Sequence, residues 1–331
     1  MTDHNHWQLI RAADFCCPAP PTVTRLQHGW RWMLRILGLH GKDWVEQGDN
    51  ADLPGYREFE REDAVSALDA FFADGLDGAA DNGVCFLLDP PFSSTAAIAR
   101  DFAWKQGWMI LTPPDIDLIR EVQVDKWWQQ QQLYSGPWLI DNLARYLLRS
   151  TEGLRFIRAL LPRLLQGEFG KGLVVCDSWA FSFLQRAWPL ELPRVYCFAP
   201  AGQELLRQVG LKGSDRQLGR LAARARGNVG VALALWACHL DQNRQLPELP
   251  VDEEESVAFV LFALLLHRGL NGEALQQVLP IMAPDQLNIQ LIRLAQLGIV
   301  ERNKEHWRLS VYGYLAVRDF LGSRDYLLDS F

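Results

Sequence analysis

Four short apolar runs, each stopped by a turn-forming or acidic residue, constrain this chain more than any other feature. They are Val84-Cys85-Phe86-Leu87-Leu88 before Asp89-Pro90-Pro91, Trp108-Met109-Ile110-Leu111 before Thr112-Pro113-Pro114, Gly172-Leu173-Val174-Val175-Cys176 before Asp177, and Arg194-Val195-Tyr196-Cys197-Phe198 before Ala199-Pro200. None alternates polar with apolar residues, so each must bury both of its faces, as parallel strands do. Helical segments separate them. Ser94 to Lys105 carries Ala97, Ile98, Phe102 and Trp104 at helical spacing and closes at Gly107, and two amphipathic helices are expected around 138–150 and 152–166. Strands alternating with helices predict an α/β fold, a parallel sheet covered on both faces.

At 331 residues the chain is too long for one core, because domains split beyond about 250–300 residues. Local charge and pattern divide it into four parts. Residues 1–80, with net −6, read as a mostly helical N-terminal extension. Residues 81–205 hold the α/β core. Residues 206–250 are helical, broken at Gly213 and at Gly227-Asn228, and carry net +4 within a chain of net −7. Residues 251–331 form a further domain: a helix over 256–267 opened by acidic Asp252–Glu255, an Asn271-capped helix over 271–279, and a third helix opened by Pro284. Leu287, Leu291, Leu294 and Leu297 share one face of that third helix. Ile299–Arg302 and His306–Leu309 then flank Asn303-Lys304-Glu305 as a β-hairpin, and a last helix is expected from Ser310. Three helices and a hairpin make a winged helix.

Composition narrows the compartment and the chemistry. A hydrophobic fraction of 49% excludes disorder, and the acidic balance argues against a general polyanion binder. The six cysteines form no CxxC pair, and three lie inside apolar runs, so free thiols in a reduced cytoplasm are expected. The N-terminus lacks the layout of a signal peptide. The apolar run at Phe259–Leu266 is far short of the roughly 20 residues of a membrane span. No histidine has metal-ligand spacing, and Cys176-Asp177-Ser178 lacks the glycines of a nucleophile elbow.

The strand, loop and helix at 84–105 are the arrangement of a phosphate-binding loop, GxxxxGK[ST], in which glycine N–H groups wrap phosphates, lysine neutralises them and a hydroxyl holds Mg²⁺. The loop here is Asp89-Pro90-Pro91-Phe92-Ser93-Ser94-Thr95-Ala96. In this context, and in the elements that follow, the chain resembles the AAA+ and STAND ATPases over about 81–321: P-loop-NTPase-like sheet, helical lid at 206–250 and C-terminal winged helix. The resemblance implies Asp177 at the Walker B metal position with Ser178 in place of the catalytic glutamate. It makes Gly227-Asn228 the lid turn, and places Gly230 where a second sensor arginine often stands. It also shows what is missing. Asp89 replaces the first glycine, Phe92 and Ser94 stand at later glycine positions, Thr95 replaces the lysine and Ala96 the Mg²⁺ hydroxyl.

The expectation is therefore a catalytically inactive pseudo-ATPase, a scaffold or regulatory module for another protein, with no cofactor beyond weak nucleotide binding. Residual nucleotide contacts would fall to Ser93, Ser94, Thr95, Asp177, Arg224 and Arg226, and a switch that binds nucleotide without hydrolysis is the first alternative. The second is a DNA-binding regulator reading bases through Gln286, Asn288, Gln290 and Arg293, with Lys304 on the wing. Thirteen tryptophans are a surplus. Trp104, Trp108, Trp179 and Trp236 fit a core, whereas Trp30, Trp32, Trp127 and Trp128 are candidates for docking a partner, the Gly29–Leu39 segment also suiting a membrane surface.

Overall fold

The computed structural model describes residues 5–19, 59–73, 83–131, 136–147, 150–188, 192, 194–240, 246–250 and 253–331. The first described element is a strand, β1 (Leu9–Arg11), followed after a 3₁₀ turn by helix α1 (Glu62–Ala73). The extension expected to be mostly helical thus begins by adding an edge strand to the sheet: β1 runs antiparallel to the last core strand, Leu9 opposite Phe198. Trp7 anchors it, buried between Phe59 and Phe198 at ring distances of 5.4 and 5.2 Å.

The core follows as β2 (Val84–Asp89), α2 (Thr95–Gln106), β3 (Met109–Ile110), the short helices α3 (Ile116–Arg120) and α4 (Val124–Gln130), β4 (Trp138–Ile140), α5 (Thr151–Leu165), β5 (Gly172–Asp177), α6 (Ser178–Ala187) and β6 (Val195–Phe198). The sheet order is β1-β6-β2-β5-β4-β3, and every pairing except that of β1 is parallel. Every residue of β2 and β5 is buried, as their unbroken apolar runs required.

The expected helix over 138–150 is instead strand β4 and a 3₁₀ turn at Leu143–Tyr146. Three consecutive bulky apolar residues, bounded by Gly136-Pro137 and by Asp141-Asn142, satisfy a strand buried on both faces as well as a helix start; only the empty lane beside β5 decides between them. Trp138 fills that lane. Its ring lies over Gly172, its cross-strand partner, where any Cβ would collide with it, and its Nε1 donates to the Phe169 carbonyl at 2.6 Å.

Three helices stand behind the sheet's end, α7 (Gln203–Gln208), α8 (Asp215–Arg224) and α9 (Val229–Leu240), with breaks where Gly213 and Gly227-Asn228 fall. Ser214 and Gln217 form a capping box that starts α8. The winged helix comprises α10 (Glu255–His267), β7 (Leu270–Asn271), α11 (Gly272–Val278), α12 (Pro284–Gln296), β8 (Val300–Asn303), β9 (His306–Leu309) and α13 (Tyr314–Gly322), with a three-stranded sheet β7-β9-β8. The last helix starts at Tyr314 and not at Ser310, because the Ser310 side chain is used in a turn: its hydroxyl donates to the Gly298 carbonyl and accepts from the Gly313 amide at 2.9 Å.

Helix α10 is apolar almost all round and buried from Val257 to His267 apart from Phe259. Such a helix has to sit inside the molecule. It lies between the α/β core and the rest of the winged helix, with Phe262 edge-on to Trp179 at 6.3 Å, so one continuous hydrophobic core joins the two.

The tryptophans sort differently from expectation. Trp179 is fully buried and Trp108 and Trp236 are packed against the core, but Trp104 is 79% exposed on the outer face of α2. Trp127 and Trp128, the other docking candidates, turn toward the core, Trp127 wholly and Trp128 in part. Trp127 is wholly buried and donates to the Thr112 carbonyl at 2.8 Å, and Trp128 packs on Phe169 at 4.3 Å. Trp30 and Trp32 lie outside the described residues. Among the described residues no helix is long and apolar enough to cross a membrane.

Candidate functional site

In an open parallel sheet, ligands bind beyond the carboxyl ends of the strands, where successive connections leave in opposite directions. Here the connection from β2 leads to β3 at one edge, and that from β5 crosses to β6 on the other side of β2. The crevice between β2 and β5 is that point. Their register puts Asp89 directly beside Asp177 at its floor, so two buried carboxylates stand side by side.

The loop leaving β2 turns through two left-handed residues. Phe92 and Ser94 have φ of 68° and 62°, the left-handed region that glycine enters freely and other residues enter at roughly 1–2 kcal/mol. These are two of the three positions where the resemblance put glycines, the third being Asp89 at the end of β2. The Ser93 hydroxyl donates to Asp89 Oδ1 at 2.7 Å, lies 2.8 Å from the Thr95 hydroxyl and accepts from the Thr95 amide at 3.3 Å. The loop's hydroxyls therefore satisfy one another and Asp89. Ser94 makes no side-chain cap to α2, so Ser94→Gly relieves strain without losing a contact and raises the unfolding free energy by about 1 kcal/mol in urea denaturation. No gain would mean the backbone at Ser94 is not left-handed.

A cation does reach the two aspartates, and it comes from the winged helix. Arg268, the left-handed residue that ends α10 (φ 56°), forms a close ion pair with Asp89 Oδ2 and lies 3.5 Å from Asp177 Oδ2. Burial works against the Arg268 charge, but Asp89 and then Asp177 outweigh it and hold the guanidinium protonated. Asp177 also caps α6 through Oδ1, accepting from the amides of Trp179 at 2.9 Å and Ala180 at 3.3 Å, whereas Oδ2 has an ion pair but no hydrogen bond. Burial pushes the Asp177 carboxyl from 3.8 up to about 8, against the pull of Arg268 and with the push of Asp89.

The sign of the linkage follows. Between the two values the folded chain holds a proton that the unfolded chain has released, so stability falls as pH rises through that window. Asp177→Asn keeps an oxygen for the α6 cap and removes the titration. The variant should gain on the wild type between about pH 5 and pH 8 in paired denaturation curves; a constant gap would refute the raised carboxyl.

Ser178, at the catalytic glutamate position of the resemblance, is used structurally. Its hydroxyl donates to Asp329 Oδ2, and Asp329 Oδ1 pairs closely with Arg318, whose Nη2 also donates to the Asp329 carbonyl at 2.7 Å. Burial pushes the Asp329 carboxyl up against the pull of Arg318. The Arg318 guanidinium stands over the Trp179 ring at 5.6 Å. The segment after α13 is thereby fastened to the start of α6.

On the far side of the loop, beside Ser93 and Thr95, a niche lined by Trp7, Phe15, Arg226, Asn228 and Phe331 holds only about 40 Å³. Phe331 forms one wall of it, 4.4 Å from Phe15, with its main-chain oxygen accepting from Arg226 Nε at 2.8 Å. Asn228 fixes the lid turn to the loop by donating to the Pro91 carbonyl at 2.7 Å, and its side-chain oxygen accepts from the Val231 amide. Of the expected nucleotide residues, Ser93, Ser94, Thr95 and Asp177 meet at the crevice and Arg226 turns inward to Phe331. Arg224 is exposed on α8 and does not join them.

Sequence reasoning missed Arg268, Arg318 and Asp329. The available signal was a charge adjoining apolar residues: Arg268-Gly269 closing an apolar helix, Asp329 after Leu327-Leu328. The partners are up to 179 residues away, which no local pattern shows. Among the described residues no group of three or more His, Cys, Asp and Glu could hold a metal ion.

The DNA-reading set is divided. Gln286, Asn288 and Lys304 are exposed. Gln290 is buried, contrary to expectation, and donates to the Ser256 hydroxyl at 2.7 Å, while Arg293 pairs with buried Glu253. The open face of α12 shows Ile289 and Ile292, 67% and 54% exposed, beside the amides.

No family model matches the chain, and no curated protein matches it. Solved structures do. A Walker-type ATPase of Pyrococcus abyssi is 12% identical with a TM-score of 0.32, covering 83% of this chain and 99% of its own. Cdc6p from Pyrobaculum aerophilum is 13% identical at 0.32, covering 83% and 97%. The Aeropyrum pernix Orc1 protein, solved in complex with DNA, is 15% identical at 0.34, covering 84% and 95%. By its own strand order, crevice and appended domains, this chain has a P-loop-ATPase-like fold with a helical lid and a C-terminal winged helix.

Proposed function

We propose that the chain is a catalytically inactive relative of the AAA+ and STAND ATPases, serving as a scaffold or regulatory module that binds another protein. The observation that carries this reading is Arg268, whose guanidinium occupies the space between Asp89 and Asp177. An active site of this kind keeps that space for a metal ion and phosphate, and Asp89 in the loop would repel a phosphate approaching it. Two further features support it. Ser178 offers no base to activate water and is already bonded to Asp329. The niche of about 40 Å³ is far below the roughly 300 Å³ at which ligand pockets begin. A fold kept without its chemistry is suited to holding surfaces in place.

The test is direct. Calorimetry with ATP, ADP or GTP at millimolar ligand should give no binding heat, and phosphate release should stay at background. Hydrolysis above background that disappears in Asp177→Ala would overturn the reading. Binding without hydrolysis would instead support the nucleotide-sensing switch. The protein partner is sought by pull-down with and without nucleotide. DNA binding is the weaker alternative, because Gln290 is buried on Ser256 and the Arg293 charge is paired with Glu253, and phosphate neutralisation supplies most DNA affinity.

A further inference from the structure

Seven large apolar side chains stand exposed among the described residues, and three of them, Ile281, Ile289 and Ile292, lie close together in the winged helix. A single exposed apolar residue is ordinary, whereas a cluster marks a contact surface. Ile281, 98% exposed, precedes α12, and Ile289 and Ile292 lie one turn apart on its open face. From Gln286 to Ile292 the helix carries no charge. Its other side, with Leu287, Leu291 and Leu294, is already buried. The helix therefore has a second apolar stripe that its own domain leaves in solvent.

The chemistry of this face selects its occupant. A nucleic acid needs cations for its phosphates, and a membrane surface needs them along the polar edge of the helix. The one basic residue of α12 is Arg293, whose charge is paired with Glu253. A second copy of the same helix does fit. Run antiparallel about a two-fold axis between positions 290 and 291, Ile289 of each copy meets Ile292 of the other, and Asn288 meets Arg293. The Arg293 side chain is 55% exposed and spends its two terminal nitrogens on Glu253. It keeps an Nε–H that can donate to the Asn288 side-chain oxygen. Antiparallel pairing also sets the two Asp285 carboxylates roughly 16 Å apart along the axis, at a rise of 1.5 Å per residue, beyond a Debye length of about 8 Å. Parallel pairing would put them side by side.

We propose that the open face of α12 is a self-association surface, through which two copies of the chain pair as an antiparallel, two-fold helix dimer. Ile289 and Ile292 form its centre, and Asn288 with Arg293 fixes its register. The pairing covers Asn288, so a paired chain cannot present that amide to a base. This goes beyond the scaffold reading and does not rest on it: a paired chain carries two α/β cores whether or not the crevice takes a nucleotide. One helix pair buries less than the roughly 1,600 Å² of a standard interface, so the association is weak, half complete at about 100 µM chain.

Sedimentation equilibrium of the full chain, from about 5 to about 500 µM, is the test. The weight-average mass should climb from that of one chain toward that of two. Ile289→Glu puts a carboxylate at the centre of the contact and should weaken pairing by about tenfold or more. Its urea midpoint should match the wild type, because the side chain is already in solvent. Trp104→Glu, the same kind of change at another exposed site, should leave the pairing as it was. The register is checked by charge. Ile289→Glu with Ile292→Glu, and Ile289→Lys with Ile292→Lys, should each sediment as one chain, and an equal mixture of the two should recover the paired mass. A single-chain mass at the highest concentration, pairing indifferent to Ile289→Glu, or a mixture that stays unpaired would each overturn the proposal. A mass that rises only on adding duplex DNA, and not in Ile289→Glu, would give the face to DNA and overturn it too. Phosphate release from ATP would overturn the scaffold reading and leave the pairing standing.

Discussion

Asp329→Ala should lower the unfolding free energy by about 3–5 kcal/mol, because it leaves the Arg318 guanidinium charged and unpaired where its side chain is only 6% exposed. It also strips the Ser178 hydroxyl of its acceptor. Urea denaturation measures the loss, and hydrogen exchange locates it: amides of residues 325–331 and the first turn of α6 should lose protection before those of β2 and β5. The double variant Arg318→Met with Asp329→Leu is the control. An apolar pair of similar volume removes the desolvation cost along with the attraction, so it should recover most of the loss. If Asp329→Ala costs under about 1 kcal/mol, the pair is not buried as described.

Arg268→Ala is the second large effect. It removes the cation that answers Asp89, whose side chain is completely buried, and leaves that carboxylate with the Ser93 hydroxyl. Arg268 itself is a quarter exposed, so the expected cost is at the lower end for a broken buried pair, about 3 kcal/mol. The loss should be larger above about pH 8 than below it, since a protonated Asp177 leaves one stranded charge fewer. Asp89→Asn in the Arg268→Ala background should restore stability. Equal losses at both ends of the pH range would show that Arg268 acts through packing and not through charge.

Both effects lie where the winged helix meets the α/β core, and this is the part of the molecule that local sequence described least well. The four strand runs were legible because a doubly buried strand must be apolar throughout. The capped helices and the hairpin of the winged helix were legible because Asn271, Pro284 and the Asn303–Glu305 turn act within a few residues. Strand β4 was not, since Trp138-Leu139-Ile140 has the same composition as a helix start and only the lane beside Gly172 makes it a strand. The burial of Trp127 was not legible for a related reason. An adjacent pair of tryptophans looks the same whether it faces Phe169 and Tyr146 or faces solvent.

The candidate site was half legible. The sequence placed Asp89, Ser93, Ser94, Thr95 and Asp177 at strand and loop positions, and a loop that lacks lysine and carries aspartate is already a poor phosphate binder by charge alone. By itself, then, the sequence determined the α/β class, the order of the elements and the absence of glycine and lysine from the loop after β2, because each depends on patterning within a few turns of chain. Only the tertiary structure decided what took their place. Arg268 at the aspartates, Asp329 on Ser178 and Phe331 at the niche are contacts between residues about 90 to 320 positions apart. What selects them is the cost of leaving charge or apolar surface unanswered inside a shared core, and that cost exists only after the two domains have closed on α10.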